Sequence, residues 1–303
     1  MFAFFQTLSA ILVPIFVISA MFNVGLTQRP TKILDHLRVN WGFFLRMVVT
    51  SLIIVPALMV FALEVFEVNP VYSAGLIIFA VAAGAPFLIK LTALSEHDMA
   101  LGATTLMVLM AATVALMPLL LPFLIDGVQV DAWAVTKALV LQQVAPMILG
   151  MLILEFIPKL ASLIQPIVAK ISNLSMWSMI VTIFIGYAPS MLDLELWLAL
   201  LLGVVVLALS FLVGYMMGDG KDQLSDLGGL ATAQRGTASA VIVAAQNFDD
   251  PLVLVFITIL NTVCFVGLIA LAKALSKDNH VRPFNPVGAD NPRTDPRITT
   301  NPA

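Results

Sequence analysis

Residues 84–92 read GAPFLIKLT and place a lysine, Lys90, beside helix-breaking residues inside a long hydrophobic segment. A second segment has the same character, because residues 231–237 read ATAQRGT and place Arg235 next to Gly236. A charged side chain at the centre of a membrane-spanning helix costs about 2.5–3.5 kcal/mol on insertion scales. Since two such charges occur in segments that already contain helix breakers, we expect both to have a function. The pattern predicts discontinuous helices that meet near the middle of a bilayer, as in secondary transporters.

The composition is that of a polytopic membrane protein. Of the 303 residues, 60% are hydrophobic and only 11% are charged, whereas a soluble domain carries about 25% charged residues. The net charge of −3 does not indicate a nucleic-acid partner. The single cysteine, Cys264, excludes a disulfide framework and a thiolate metal cluster. The sequence has no Gly-x-x-x-x-Gly-Lys loop for ATP, and we expect no cofactor and no metal site.

Nine stretches are long enough to cross the hydrocarbon layer, which takes about 20 apolar residues. Between the fifth and the sixth, residues 158–173 are predicted to form a separate amphipathic segment at the membrane interface. From residue 276 onward the chain is polar and rich in proline, which predicts a disordered tail. The predicted spans cover residues 4–26, 42–63, 71–94, 99–125, 132–156, 173–190, 195–217, 224–247 and 252–275.

Basic and acidic residues sort into different loops. The loop after the first span, the segment after the fifth and the tail carry Lys and Arg, whereas alternate loops hold only acids. The positive-inside rule then places the N-terminus outside and the C-terminus in the cytoplasm, and we expect a bacterial inner (plasma) membrane. The basic residues are Arg29, Lys32, Arg38, Lys159, Lys170, Lys273, Lys277, Arg282, Arg293 and Arg297, and the acidic ones are Glu64, Glu67, Asp126, Asp131, Asp193, Glu195, Asp249 and Asp250.

The third and eighth spans share one plan: each is interrupted by glycine near a cation and ends at an acidic turn. Spans one to four are therefore predicted to pair with spans six to nine. Because an odd number of crossings separates the two copies, they have opposite orientations. The predicted fold class is an all-α polytopic membrane protein with nine transmembrane helices in an inverted repeat, including two discontinuous crossing helices. Residues 1–275 form one transmembrane domain, with repeats at about 4–125 and 132–275, followed by the tail at 276–303.

The two breaks predict an anion-binding site. Pro86 lacks a backbone donor, and Gly84 and Gly236 permit open backbone geometry. The free amides and positive dipole ends of the half-helices then face one point, and with two cations beside them an anion is expected there, most simply a carboxylate. The predicted substrate-binding residues are Lys90, Arg235, Gln234, Gly236, Thr237, Thr92, Asn23 and Asn261.

Each of these residues also has a purely structural interpretation. Lys90 lies eight residues before Asp98, so its long side chain can reach the aqueous interface. Polar residues such as Asn23 can simply form hydrogen bonds between helices. Arg235 is different, because about twelve residues of span lie on either side of it. His97 is expected to be a titrating loop residue rather than a metal ligand.

Four short stretches within residues 15–275 carry a family resemblance. In one known family, a Met-Gly-Leu stretch ends the first conserved helix, and residues 21–27, MFNVGLT, resemble it. Residues 51–56 of this chain fall where that family has a Gln five residues before a Pro. Residues 94–101, LSEHDMAL, resemble Leu-Ala-x-Gly-Asp-x-Ala-Leu, and residues 231–236, ATAQRG, occupy the place of Glu-x-Gly-Met-Gln-Asn. These are segments of the bile acid:sodium symporter family. The resemblance implies a core domain with two crossing broken helices, packed against a panel domain.

The departures from the family pattern fall on its sodium ligands. Where the family has a Glu, this chain has Ala231, and the family's Ser-Asn pair falls at Leu88 and Ile89. The family's Gln residues become Ser51 and Arg235. Hard cations need several oxygen ligands, so the resemblance implies a depleted sodium site.

We therefore hypothesise that Lys90 and Arg235 stand in for bound sodium. Thr104 and Thr105 lie near the family's hydroxyl ligands and are possible ion-binding residues, so sodium or a proton remains possible as a coupling ion.

The predicted function is secondary active transport of an organic anion by alternating access. The alternatives are a sodium- or proton-coupled symporter of the bile-acid type and an exporter of a small inorganic anion. An enzyme is not expected, because the spans contain no Asp or His at depth; a channel or sensor is a further class. The expected partners are a small anionic substrate and membrane lipid, with no nucleic acid, and the sequence indicates no oligomeric state.

Overall fold

A computed structural model describes residues 2–125, 131–188, 193–218, 220, 222–248 and 250–279. Asp126, Asp249 and the tail beyond residue 279 lie outside these residues, so what the sequence predicts for them stays a prediction. Every regular element of the described chain is a helix. The helices are α1 (Phe2–Gly25), α2 (Pro30–Val39), α3 (Trp41–Val49), α4 (Val55–Val65), α5 (Pro70–Val81), α6 (Phe87–Leu94), α7 (Met99–Leu124), α8 (Ala132–Leu139), α9 (Ala145–Phe156), α10 (Pro158–Gly186), α11 (Leu194–Met216), α12 (Asp222–Ala233), α13 (Thr237–Asn247) and α14 (Pro251–Asn279).

Seven helical segments in the described chain are long and apolar enough to cross a membrane, so this is an all-α polytopic membrane protein. The third and eighth predicted spans are instead pairs of short helices, α5 with α6 and α12 with α13. The count of nine crossings and the inverted repeat stay predictions. The seven segments are Thr7–Gly25, Trp41–Val65, Met99–Leu124, Ala132–Phe156, Pro158–Gly186, Leu194–Met216 and Pro251–Ser276.

Two spans contain a π-helical turn just before a proline. In the α3–α4 span the turn covers Thr50–Ile54 and precedes Pro56, and the amide of Val55 donates to the carbonyl of Thr50. In the α8–α9 span the turn Val140–Val144 precedes Pro146 in the same way. Since proline cannot donate a hydrogen bond, the wider turn lets the helix continue past it.

Two predictions from the sequence are wrong in detail. Residues 158–173 do not form a separate interfacial segment, because α10 runs without interruption from Pro158 to Gly186. Lys159 and Lys170 lower the local hydropathy, but the helix packs against α1, and both lysines remain exposed. The predicted tail also begins too early, since residues 276–279 continue α14.

The helices form two groups. Helices α1, α9 and α10 pack mainly on one another. Together with α8, which continues into α9 through the π-helical turn and also contacts α7 and α13, they are called the panel here, and α3–α7 with α11–α14 are called the core. Gly25 of α1 and Gly150 of α9 let these two panel helices approach closely. A Cβ on Gly25 would lie 2.0 Å from the carbonyl oxygen of Met147, so only glycine fits there. The cleft between panel and core contains the candidate site.

Candidate functional site

The two broken helices cross at their extended segments. Ala83, between α5 and α6, forms an antiparallel bridge with Arg235, between α12 and α13. The amide of Gly236 donates to the carbonyl of Ala82 at 2.7 Å. Thr113 of α7 holds the first break from the side, because its hydroxyl accepts from the amide of Ala83 at 3.0 Å and donates to the carbonyl of Ala83 at 2.9 Å. The carbonyl of Ala82, the amide and carbonyl of Ala83 and the amide of Gly236 therefore have partners within the protein, as the membrane interior requires.

Glycine is needed at both breaks. Gly84 has a φ of 75°, and a Cβ there would lie 2.5 Å from the amide nitrogen of Met110. A Cβ on Gly236 would lie 2.9 Å from the carbonyl oxygen of Ala83. The predicted helix-breaking roles of these two residues are thus explained by φ at Gly84 and by close backbone approach at both. Pro86 directly precedes α6.

Arg235 is 1% exposed, and its guanidinium is surrounded by backbone carbonyl oxygens. Nε donates to Phe79 at 3.2 Å and Nη1 to Thr232 at 3.2 Å. Nη2 donates to Ser51 at 2.9 Å and also to Ala80. These carbonyls belong to the π-helical turn of the α3–α4 span, the end of α5 and the end of α12. One side chain therefore joins three helical segments at the crossing.

A cavity of about 900 Å³ opens between the panel and the core. Its walls come mainly from α1 and α10 on the panel side and from α6, α13 and α14 on the core side. Most of the lining is apolar or aromatic, and at one end the lining includes Arg29, after α1, and Asp98, before α7. The polar lining residues are Asn23, Thr27, Gln28, Arg29, Lys90, Asp98, Gln165, Ser172, Asn173, Gln234, Thr237, Thr258, Asn261 and Thr262.

Lys90 lines this cavity and is exposed to it. Its Nζ donates to Oδ1 of Asn173 on α10 at 3.0 Å, so a core helix and a panel helix are linked across the cleft. The ring of Phe87, one turn earlier on α6, lies 5.9 Å from Nζ and stacks on Phe265 of α14 with 3.6 Å between ring centroids. The site thus combines one ammonium group with an aromatic wall.

Two further polar pairs face the cavity. Gln165 of α10 donates to Asn23 of α1 at 3.1 Å, which ties two panel helices together. Thr237, the first residue of α13, donates to Asn261 of α14 at 2.5 Å. Gln234 also lines the cavity, although it is 3% exposed. These side chains can exchange their present partners for a bound ligand.

The predicted substrate-binding residues divide into two sets. Lys90, Gln234, Thr237, Asn23 and Asn261 line the cavity. Arg235, Gly236 and Thr92 are not among its lining residues. Lys90 and Arg235 therefore do not share one pocket, although the sequence predicts that they do. The reason is that the guanidinium of Arg235 points into the crossing of the two broken helices and not into the cleft.

The three threonines that could have bound a ligand or ion are satisfied inside their own helices. The hydroxyl of Thr92 donates to Leu88 at 2.7 Å, that of Thr104 to Ala100 at 2.7 Å, and that of Thr105 to Leu101 at 2.9 Å. All three side chains are buried outside the cavity lining. An ion-binding role for Thr104 or Thr105 stays a prediction.

The sequence-based prediction misses Asn173, Gln165 and Arg29. Gln165, Ala169, Ser172, Asn173 and Met176 all line the cavity and follow the spacing of one helix face. That pattern would have been visible if α10 had been predicted as a single helix.

His97 forms a buried pair outside the cavity. Its Nε2 lies 3.0 Å from Oδ2 of Asp226 on α12, and the two residues are 8% and 6% exposed. The pair joins the loop after α6 to α12, and therefore links the two broken helices a second time.

The fold and this geometry agree with a match to a known family. The model of the sodium bile acid symporter family matches residues 14–194, more than half of the 303-residue chain. The chain belongs to this family. It is accordingly a membrane transporter with a small-molecule substrate and not an enzyme. The match includes the first broken helix and the Lys90–Asn173 contact, whereas Arg235 lies beyond it. No curated protein matches the chain.

Proposed function

We propose that this protein is a secondary transporter that carries an organic anion, most simply a carboxylate, across the membrane by alternating access. The observation that carries the proposal is the cavity of about 900 Å³ between panel and core, with the ammonium group of Lys90 on its wall. A cleft between two helix groups can open to either side of a membrane when one group moves against the other.

The cavity chemistry favours an organic anion over a small inorganic one. Lys90 supplies one positive charge, and its neutral partner Asn173 can be replaced by a carboxylate in a stronger, charge-assisted hydrogen bond. The aromatic rings of Phe87 and Phe265 offer an apolar surface for the body of the ligand. A small oxyanion would leave most of this apolar wall without a partner.

Arg235 acts as a tethered cation in our proposal. Its carbonyl shell resembles the oxygen shell that a hard cation requires. The family's sodium-binding Glu and Gln positions hold Ala231 and Ser51 here, and the carbonyl of Ser51 accepts from the guanidinium. The residues present therefore fit a guanidinium better than a sodium ion. Arg235 would hold the crossing together while Lys90 contacts the substrate, so both cations take over tasks of bound sodium.

A second candidate function is sodium-coupled symport of the bile-acid type, which the family match favours. Proton coupling is a further possibility, since Lys90 can lose its proton in an apolar setting. Uptake into liposomes at a clamped membrane potential separates these cases. Uptake that is equal in sodium and in choline supports the tethered cation, strict dependence on sodium contradicts it, and dependence on a pH gradient indicates proton coupling.

The orientation follows from the charge of the loops. Arg29, an exposed loop residue that lines one end of the cavity, lies in a loop that the positive-inside rule assigns to the cytoplasm. We therefore propose nine crossings in an inverted repeat, an outside N-terminus and a cavity that faces the cytoplasm, in a bacterial inner membrane with lipid around the helices.

Binding of the anion is tested first with a panel of carboxylates in a thermal-unfolding assay. We expect at least one amphipathic carboxylate to stabilise the purified protein, and Lys90→Gln to remove this effect. Lys137→Gln is the matched control, because Lys137 is also a cation in a membrane helix but does not line the cavity. If no anion stabilises the protein, or if Lys90→Gln and Lys137→Gln behave alike, the proposed substrate class is wrong.

A further inference from the structure

Gln143 and Ser239 form a reciprocal hydrogen-bonded pair outside the cavity. Nε2 of Gln143 donates to Oγ of Ser239 at 3.0 Å, and Oγ of Ser239 lies 3.2 Å from Oε1 of Gln143. The side chains belong to residues that are 0% and 1% exposed, respectively. Neither residue lines the cavity. A buried side-chain pair of this kind is costly to separate unless water reaches both groups.

The pair joins the panel to the core. Gln143 lies in the π-helical turn of the α8–α9 span, and Ser239 lies in the first turn of α13. The surrounding panel surface on α8 is apolar and buried at Val135, Ala138 and Leu139. The two side chains are therefore a polar contact within a dry interface.

The pair lies toward the side opposite the cavity mouth. We place the mouth at the end lined by Arg29, because this loop residue is exposed, and Leu154, close to the end of α9, lines the cavity as well. Gln143 precedes Leu154 by eleven residues in the same span, or roughly 16 Å at the helical rise of 1.5 Å per residue.

A second link between panel and core has a matching position. Lys90 lies in the first turn of α6, as Ser239 does in α13, and it contacts Asn173 of the panel beside the open cavity. Each second half-helix thus has a side chain that is hydrogen-bonded to the panel, Lys90 beside the open cavity and Ser239 in the closed interface.

We propose that the Gln143–Ser239 pair stabilises the closed contact between panel and core on the side opposite the cavity mouth, called the far side here. The pair, which we call the latch, separates when the cavity opens to that side. This inference rests on the alternating access proposed above. Because the pair is satisfied only when panel and core are in contact, it stabilises the closed far side. Once the two groups part, water must hydrate the amide and the hydroxyl.

The test uses distances between spin labels and needs no identified substrate. In a Cys264→Ser background, labels at Trp133→Cys on α8 and Gln246→Cys on α13 report the panel-to-core distance on the far side, since both positions are exposed. We expect the labels to report two populations, one with a shorter and one with a longer distance. Gln143→Ala should raise the population with the longer distance relative to the other about two- to tenfold, the effect of one lost hydrogen bond. Ser239→Ala should give the same shift, and the double variant should add little to either.

Gln142→Ala is the matched control, because Gln142 lies in the same π-helical turn but outside the pair. An unchanged distance distribution in Gln143→Ala and Ser239→Ala overturns the latch, as does an equal change in Gln142→Ala. These outcomes are independent of anion binding, so failure of the latch and failure of the proposed substrate class can be told apart.

Discussion

Lys90 and Asn173 connect the two helix groups across the open cavity, with 3.0 Å between Nζ and Oδ1. In the function proposed above, an anion that takes the same N–H of Lys90 has to displace the side-chain oxygen of Asn173. Asn173 would then be an internal competitor of the anion.

Removing this competitor should strengthen anion binding. We expect Asn173→Ala to lower the dissociation constant of the stabilising carboxylate about two- to tenfold, because a net hydrogen bond contributes about 0.5–1.5 kcal/mol. Isothermal titration with the purified variant measures the change. Ser172→Ala, a neighbouring lining residue without a bond to Lys90, should leave the constant near its original value. Weaker binding in Asn173→Ala would mean that the amide contacts the ligand directly.

Replacing Arg235 should leave a cation site empty. In Arg235→Ala the carbonyls of Phe79, Ser51 and Thr232 lose their donor, so we expect a loss of about 3 kcal/mol or more in unfolding free energy. Sodium chloride should then raise the melting temperature of the variant more than choline chloride does, since ligand binding to the folded state stabilises it. Arg46→Ala, which removes a half-buried arginine of α3, controls for loss of charge. A sodium effect of the same size in the unaltered protein would speak against a site occupied by the guanidinium.

Thr113 and Thr104 make a matched pair for testing the first break. Thr113→Val removes both hydrogen bonds to Ala83, and we expect a cost of about 1–3 kcal/mol together with faster hydrogen exchange at the Ala83 amide. Thr104→Val removes only a bond to the carbonyl of Ala100 in its own helix, so it should be nearly neutral. Equal stability of the two variants would contradict the role of Thr113, and a loss of transport in Thr104→Val alone would point to an ion at that hydroxyl.

Gly84 should tolerate no side chain. Gly84→Ala places a Cβ on a residue with φ of 75° and close to the backbone of Met110, and the left-handed conformation alone costs about 1–2 kcal/mol. Gly267→Ala is the control, because nothing lies within 4 Å of its Cβ position on α14, and alanine favours a helix by about 0.5–1 kcal/mol. Thermal unfolding of both variants should therefore shift in opposite directions.

The breaks were predictable because their causes are local. Gly84, Pro86 and Gly236 carry their conformational preferences in the sequence itself, and the hydrophobic runs around them predict membrane helices without further information. The partners of Arg235 were not predictable. They are backbone carbonyls, which every residue has, and the segment that supplies Ser51 is 184 positions away along the chain.

The course of α10 was missed for a different reason. Lys159 and Lys170 suggest an interface when hydropathy is considered alone, yet both side chains remain exposed while the opposite face of the helix packs on α1. Because α10 was not predicted as one helix, Asn173 was not predicted as a site residue either. Apart from Asn23 of α1, the predicted lining residues therefore lie on the core side, and the α10 residues that complete the cavity had to come from the three-dimensional packing.

If Arg235 replaces bound sodium, as we propose, its covalent attachment at the crossing limits the energy available to the transporter. A sodium ion is bound on one face and released on the other, which links the cargo to an ion gradient, but the charge of Arg235 returns with every cycle. If the cargo is a monovalent anion moving alone, the voltage across the membrane is the remaining force. An inside-negative potential of 100 mV is worth about 2.3 kcal/mol per charge, or roughly a fiftyfold concentration ratio in favour of the exterior. Exchanging a dissociable ion for an arginine would thus turn an accumulating carrier into one that empties the cell of its substrate.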